Sequence, residues 1–317
     1  MLFRSIDRLF TVLAQMKAAG TAIIYISHRL DEIVALADRC TVLRDGRLVT
    51  VRARGEFEVA DLIEAMTGRV AEDEQSDVRA PGAALLSEQS PHAPIQLHAG
   101  QTLGIAGLLG SGADLKVRGL FGAGPEPVAV QLSGSTGAVL KQPSDAIAQG
   151  IGLVPGTRSL GLVLNQSIRD NILLPNLNQI GSVFRIDRAR ADALVNEMMD
   201  LLDIRPRRPE IRAGALSGGN QQKVILAKWL ARDCDVLIVD EPTRGIDVGA
   251  KAEIYQLLDE LAGEGKALLV ISSELPELIG LCRRILVMRE GRLAGEVARE
   301  NFSEHGLLEI MAGVAAA

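Results

Sequence analysis

The sequence has little cysteine and no excess of positive charge. Its three cysteines, Cys40, Cys234 and Cys282, are far apart, which excludes a small disulfide-bonded domain and a closely spaced zinc site. We therefore expect reduced thiols, as in the cytoplasm. The net charge of -6 argues against a general nucleic-acid-binding protein, because such proteins usually carry a basic surface. No nucleic acid is expected among its partners.

Long hydrophobic runs are also missing. Runs such as residues 267–271 are far too short to span a bilayer, and the N-terminal residues lack the apolar core of a signal peptide. With 47% hydrophobic and 23% charged residues, the composition is that of a globular protein. We expect a cytoplasmic chain that reaches a membrane only through a partner.

The sequence does contain a long internal repeat. Residues 20–68 align without gaps with residues 265–313, and 20 of the 49 aligned positions are identical. A repeat of this length indicates the duplication of a whole domain. The first copy then comprises residues 1–70, a polar linker follows over residues 71–92, and the second copy covers residues 93–313.

The first copy aligns only with the C-terminal end of the second. We expect it to contain a helix, a strand, a turn, a strand–turn–strand unit and a terminal helix. Such a fragment would bury little core, so an upstream segment or another chain would have to cover its exposed face. A small independent N-terminal domain is the alternative.

Two motifs stand out in the second copy. Residues 216–223 read Leu-Ser-Gly-Gly-Asn-Gln-Gln-Lys, with Ser217 at the N-cap of a helix predicted to run to about residue 232. Residues 236–242 form an apolar strand that ends in Asp240 and Glu241. Alone, each is an ordinary cap or turn. In this order, with one helix between them, they resemble the signature motif and Walker B segment of ABC-transporter ATPases.

The resemblance implies an α/β fold of the P-loop NTPase type. This fold is a mainly parallel sheet with helices on both faces and a helical subdomain at about residues 167–216. The implied ligands are ATP and Mg²⁺. Asp240 would hold the metal shell, and Glu241 would orient or deprotonate the attacking water. The signature would contact the γ-phosphate of a nucleotide held by the opposite ATPase copy through Ser217, Gly218, Gly219 and Gln221.

A glycine-rich loop lies where this family has its phosphate-binding loop. Residues 101–112 read as a strand that runs into the loop, and a helix begins near Ala113. The full pattern is G-x-x-x-x-G-K-[ST], but Ala113 replaces the lysine and Asp114 replaces the hydroxyl residue. We expect Lys116, one turn later, to point away. The loop is therefore degenerate, and packing alone is the alternative role of its glycines. The candidate contacts are Gly107, Gly110, Ser111, Gly112, Ala113 and Asp114.

Without the lysine charge the loop should bind phosphate more weakly, because a charge pair 4 Å apart contributes about 4 kcal/mol at an effective dielectric of 20. The histidine that this family places after the next strand is also missing from the second copy, where Ser273 takes its place. The first copy has it as His28, a candidate catalytic residue.

At residues 155–158, Pro-Gly-Thr-Arg replaces the Pro-Glu-Asp-Arg of sugar importers. This region lies near the loop that contacts the permease in the family, so the change puts coupling of this copy to a permease in doubt.

Residues 243–255 resemble the branch of the family that imports ribose, galactosides and xylose. The first interpretation is an ATP-binding, ATP-hydrolysing subunit of a bacterial sugar importer with a degenerate loop. The second is a non-catalytic half that completes another site through its signature, and the third is a soluble ABC protein without a transporter. The implied partners are membrane permease subunits, a second ATPase copy or chain, and indirectly a periplasmic sugar-binding protein. The implied location is the inner face of the plasma membrane. The sequence does not identify the sugar.

Overall fold

The structure is a computed structural model of the chain, and it separates into two units. One unit contains residues 1–75 and 247–252, and the other contains residues 76–246 and 253–317. The residues that the structure describes are 2–26, 30–44, 47–59, 61–62, 65, 81–90, 94–134, 137–182, 185–246 and 248–314.

The N-terminal unit is small and has its own apolar cluster. It contains helices α1 (Leu2–Ala18) and α2 (Leu30–Leu36) and an antiparallel hairpin of β1 (Arg39–Arg44) and β2 (Arg47–Ala53). The cluster consists of Leu30, Ile33, Val42, Phe57 and Leu62.

The larger unit alternates strands and helices. Its first elements are β3 (Ala84–Glu88), β4 (Gln96–His98), β5 (Thr102–Gly107), α3 (Ala113–Leu120), β6 (Val128–Leu132), β7 (Ala138–Leu140), α4 (Pro143–Ala148) and β8 (Ile151–Val154). The middle elements are α5 (Arg158–Gly161), α6 (Ile168–Leu173), the short strands β9 (Gly181–Ser182) and β10 (Arg185–Ile186), α7 (Arg188–Leu201) and α8 (Gly218–Leu230). The last are β11 (Val236–Asp240), α9 (Val248–Gly263), β12 (Ala267–Ile271), α10 (Leu275–Leu281), β13 (Arg284–Arg289), β14 (Arg292–Ala298) and α11 (Glu304–Ala312). The first five residues of α9 are grouped with the other unit.

A six-stranded sheet forms the centre of this unit. Its strand order is β14-β13-β5-β12-β11-β8, and every neighbouring pair is parallel except β13–β14. All five residues of β12 are buried, as are the first five of β5 and the first four of β11. Near-continuous apolar strands of this kind are typical of a parallel sheet covered on both faces. The predicted α/β fold is confirmed.

A second sheet was not predicted from the sequence. It has four antiparallel strands in the order β4-β3-β6-β7. Its strands have only three to five residues, which is too short for a periodicity of two to be recognised from the sequence.

The segment predicted as helical, residues 167–216, contains α6, α7 and two 3-10 turns, together with the β9–β10 hairpin. Ser167 caps α6 by accepting a hydrogen bond from the Asp170 N–H. None of the helices in the described part of the chain combines the length and apolarity needed to cross a membrane.

The internal repeat has the same local structure in both units. The bounds of α2, β1 and β2 match those of α10, β13 and β14 with an offset of 245 residues. Even the irregularity in the hairpin recurs, between Val42 and Leu43 in one copy and between Val287 and Met288 in the other. The sequence repeat is therefore also a repeat of structure.

One predicted strand is not formed. The equivalent of β12 in the first copy would be residues 22–26, but residues 21–26 form no strand. Ile24 is 93% exposed, whereas its counterpart Leu269 is fully buried. β12 pairs with parallel strands on both of its edges. The described residues of the N-terminal unit supply no such neighbours, so this prediction was wrong for the isolated copy.

Candidate functional site

The glycine-rich loop between β5 and α3 is closely packed. A Cβ atom on Gly107 would lie 2.2 Å from Ser111 Oγ, and one on Gly112 would lie 3.0 Å from Gly291 Cα. Gly112 also has a φ of 89°, which an L side chain rarely adopts. The Ser111 N–H donates to the Leu108 carbonyl at 2.9 Å, and the Ser111 carbonyl accepts from the Gly291 N–H at 2.8 Å. The loop therefore keeps a tight form in which glycine is required at two positions.

The charges around this loop differ from those of a phosphate site. Ala113 is 5% exposed and offers no cation. Lys116 Nζ lies 2.6 Å from Glu88 Oε1 in an almost buried ion pair, with side-chain exposures of 14% and 4%. Using Lys116 to bind a phosphate would leave the Glu88 carboxylate buried and unpaired. The prediction that Lys116 points away from the loop is consistent with this pair.

Arg118 is a charged neighbour that the sequence analysis missed. Burial raises the pKa of Asp240, and the negative charge of Asp114 raises it further. The Gly156 N–H and the positive charge of Arg118 lower the pKa of Asp240. Asp114 and Arg118 are four residues apart in α3, a spacing that places both on one helix face. In the sequence, this spacing together with the missing lysine could have pointed to Arg118 as a charge near the loop.

Asp240 and Glu241 follow directly from the buried strand β11. Asp240 Oδ2 accepts a hydrogen bond from the Gly156 N–H at 3.2 Å. Glu241 has a φ of 50°, a conformation that is uncommon outside glycine. Its N–H donates to the Ile271 carbonyl at 2.8 Å, and its Oε1 accepts from the Ser273 N–H at 2.9 Å. Both ends of Glu241 are therefore held by the end of β12.

The parallel sheet brings these predicted residues to one edge. β5, β12 and β11 are neighbours, so their carboxyl ends present the glycine-rich loop, Ser273 and the pair Asp240–Glu241 next to one another. In open α/β sheets this edge is where ligands bind.

A buried polar cluster supports the loop after Glu241. The Thr243 hydroxyl donates to Glu277 Oε1 at 2.5 Å, and the Tyr255 hydroxyl donates to the same oxygen at 3.0 Å. Thr243 is 1% exposed and Glu277 is 4% exposed. Burial and the Glu277 charge raise the pKa of the Tyr255 hydroxyl, so this hydroxyl stays protonated and remains a donor. This cluster was not recognisable from the sequence, because its members are 12 to 34 residues apart.

The signature segment has the predicted cap. Ser217 precedes α8, and its Oγ accepts from the Asn220 N–H at 3.5 Å and the Asn220 Nδ2 at 3.0 Å. Gly219 is buried in the first turn. Gln221 Nε2 donates to the Ala213 carbonyl at 3.2 Å and to the Leu216 carbonyl at 3.3 Å. Gln221 therefore fixes the entry to α8, and the backbone N–H groups at its start carry the positive end of the helix dipole.

Arg158 connects the signature segment to the loop after Glu241. Its Nη2 donates to the Arg244 carbonyl at 2.7 Å and to the Gly245 carbonyl at 2.9 Å. A Cβ atom on Gly218 would lie 2.9 Å from Arg158 Nη1. From the sequence, Arg158 was recognisable only as part of a degenerate motif. His28, the other candidate catalytic residue, lies outside the described residues.

The residues at the glycine-rich loop fit a magnesium nucleotide poorly. Ala113 and the paired Lys116 leave the loop without a free lysine, and Asp114 adds negative charge beside Asp240. Within the described ranges, His, Cys, Asp and Glu side chains form no group of three or more that could hold a metal ion.

The chain resembles known proteins in sequence and in fold. Residues 92–244 match the family model described as ABC transporter. The ribose import ATP-binding protein of Bacillus licheniformis is 39% identical over 98% of this chain and 65% of its own length. That of Chromobacterium violaceum is 42% identical over 98% of this chain and 64% of its length. A putative ribose/galactose/methyl galactoside import ATP-binding protein of Rhizobium etli is 40% identical over 96% of this chain and 60% of its length.

The chain thus spans just under two thirds of the length of these relatives. Among solved structures, a nucleotide-free ATP-binding cassette from an ABC transporter aligns with a TM-score of 0.59 and 18% identity, over 73% of this chain and 96% of that one. The ADP conformation of the ATP-binding cassette MJ1267 gives the same values. These structures support the fold. The chain therefore has the fold of an ABC cassette and is related, at about 40% identity, to ATP-binding proteins of ribose-type ABC importers.

Proposed function

We propose that this chain acts as an ATP-binding subunit of a bacterial sugar ABC importer and that its own glycine-rich loop does not hold nucleotide. The observation that carries this proposal is the contrast within one unit. The signature Ser217–Gly219 is complete and capped, whereas Ala113 and Asp114 replace the cation and the hydroxyl of the phosphate loop. Residues 93–313 then serve as the half that completes a nucleotide site on another ATPase copy or chain.

The roles of the chain's own residues follow from their positions. Ser217 is exposed at the positive end of α8, followed by the half-buried Gly218 and the buried Gly219, and an anionic phosphate held by another copy is favoured at this helix end. Asp240 and Glu241 keep their place at the sheet edge. There they act as hydrogen-bond acceptors that fix Gly156 and Ser273, rather than as metal ligand and base.

His28 belongs to this proposal as a residue of the first copy. The repeat places it at the position of Ser273, so the first copy carries the histidine that the second lacks. We assign it to a site whose phosphate loop would come from another ATPase segment or chain.

The partners and location follow from the relatives. Their names describe import of ribose, galactose or methyl galactoside. We therefore infer membrane permease subunits as partners, with a sugar-binding protein acting through them, and a position on the cytoplasmic face of the membrane. A soluble ABC protein is less favoured, because residues 243–255 resemble the sugar-importer branch.

ATP turnover by the purified chain tests the catalytic part of the proposal. We expect only background hydrolysis, and we expect Glu241→Gln to leave that background unchanged. The loop would be shown to hold nucleotide if the chain turned over ATP at the rate of an ordinary ABC ATPase and Glu241→Gln abolished that turnover.

Uptake of labelled ribose, galactose and xylose by cells with and without the gene tests the transport part of the proposal. If cells with and without the gene took up each of the three sugars at the same rate, the transport part would be contradicted.

A further inference from the structure

The Arg158 side chain spans a gap between two loops that lie far apart in the sequence. One of its nitrogens, Nη2, donates to the carbonyls of Arg244 and Gly245 at 2.7 and 2.9 Å. These carbonyls belong to the loop that follows the Asp240–Glu241 pair. A charged donor to two carbonyls is a stronger contact than a neutral hydrogen bond.

The same guanidinium lies against the start of the signature helix. A Cβ atom on Gly218 would meet Arg158 Nη1 at 2.9 Å and Cζ and Nη2 at 3.0 Å. A Cβ atom on Gly245 would lie 3.5 Å from Nη2. The guanidinium is therefore enclosed between Gly218 and Gly245, and only a residue without a side chain fits at Gly218.

The loop after Glu241 is anchored differently at its two ends. Thr243 is buried and bonded to Glu277, so the first end is fixed in the core. Arg244 and Gly245 are exposed, and Gly245 has a φ of 65°. Beyond Gly245 the chain is fixed again, because Ile246 is buried and its N–H donates to the Thr243 carbonyl at 3.1 Å. Exposed backbone opens easily, so the bonds from Arg158 hold the exposed Arg244–Gly245 segment between these two fixed points.

We propose that Arg158 is a positioning residue that clamps the signature turn, Ser217–Gly219, to the exposed end of the loop, Arg244–Gly245. The clamp makes these two segments a single preformed face. The value of that face for binding a nucleotide held by another copy rests on the proposed function above. The clamp itself does not, because all of its atoms belong to this chain.

Hydrogen–deuterium exchange on the purified full-length chain tests the clamp without nucleotide or partner. We compare wild type with Arg158→Ala, following peptides that contain residues 217–221 and residues 243–246. The expected result is at least about tenfold faster exchange in both segments, as for loss of a charged hydrogen bond. The thermal midpoint should stay close to that of wild type.

Two further variants separate positioning from general packing. Arg158→Lys should not restore protection, because the ammonium is shorter and lacks the planar fork that fits between the two glycines. Gly218→Ala should push the guanidinium aside and speed exchange at residues 243–246. It should add nothing in the Arg158→Ala background, because the connection is already lost.

Arg169→Ala is the matched control. Arg169 forms an ion pair with Asp192 and lies in α6 of the same unit. We expect it to leave exchange in both segments unchanged. The clamp would be overturned if Arg158→Ala left either segment as protected as in wild type, or if Arg169→Ala loosened them equally. Full rescue by lysine, or additive effects of Gly218→Ala and Arg158→Ala, would overturn it as well.

Discussion

Ser273 holds Glu241 by a backbone hydrogen bond, with 2.9 Å between Ser273 N and Glu241 Oε1. Glu241 follows β11 and Ser273 follows β12, so this bond ties together the ends of two neighbouring strands. It also occupies a carboxylate oxygen that the family resemblance assigned to the attacking water. In the first copy the position of Ser273 is taken by His28. The bond is one reason to treat Glu241 as a structural acceptor in this unit.

Glu241→Gln should stabilise the chain at neutral pH. Burial raises the pKa of Glu241 above its ordinary 4.5, and Ser273 only partly offsets this rise. The folded state therefore binds this proton more tightly than the unfolded chain does. The penalty for the ionised carboxyl is absent below about pH 4.5 and grows as the pH rises through the raised pKa. Glutamine keeps an oxygen for the Ser273 N–H and removes the charge.

Thermal unfolding at several pH values measures this effect. We expect the Glu241→Gln midpoint to lie on the order of 2 °C above wild type at pH 7.5, with a difference that shrinks towards pH 5. The exposed Glu126 provides the control substitution, Glu126→Gln, which should show no such pH-dependent gain. A midpoint below wild type at pH 7.5, or a gain that is independent of pH, would be inconsistent with a buried and penalised carboxylate.

Breaking the ion pair between Lys116 and Glu88 should be costly. Lys116→Met leaves the nearly buried Glu88 carboxylate without its partner, which typically costs about 3 kcal/mol. Urea denaturation measures this loss. Replacing both partners, as Glu88→Leu with Lys116→Met, should cost less than Lys116→Met alone. As a control, Arg205→Met breaks an exposed pair with Asp203 and should cost under about 1 kcal/mol. Equal losses at the two pairs would contradict the burial of Lys116.

The repeat supplies a matched pair of substitutions for the core. Leu269 is fully buried in β12, whereas its counterpart Ile24 is 93% exposed. Leu269→Ala should lower the free energy of unfolding by about 2–5 kcal/mol, through lost burial and a cavity. Ile24→Ala should change it by less than about 0.5 kcal/mol. Urea denaturation followed by circular dichroism compares them. Similar costs would mean that residues 21–26 are packed in solution.

The elements predicted from the sequence are those that a local pattern determines. Ser217 caps α8 as expected, because a serine before a glycine pair and a helix-forming run is a sufficient local signal. β11 was recognisable from its continuous apolar run. The register of the repeat also predicted the hairpin β1–β2.

The features that were missed or wrongly predicted depend on contacts between distant residues. A strand at residues 22–26 has the right side chains but needs parallel neighbours, and residue pattern alone does not show whether they are present. The bonds from Arg158 to Arg244 and Gly245 join residues 86 and 87 positions apart. The cluster of Thr243, Tyr255 and Glu277 is likewise non-local. The sequence shows that these side chains are polar, but it does not show which of them meet, because only the packed fold brings them together.

A calorimetric titration of Mg²⁺–ATP into the purified chain tests most directly whether the glycine-rich loop has lost the ability to bind nucleotide. The comparison variant carries Ala113→Lys with Asp114→Thr, which restores the missing cation and hydroxyl. We expect no saturable binding by wild type below about 1 mM, equivalent to less than about 4 kcal/mol. We expect the double variant to bind at least about tenfold more tightly, because it regains a charge interaction. Micromolar binding by wild type that the two substitutions fail to strengthen would contradict the proposed loss of nucleotide binding.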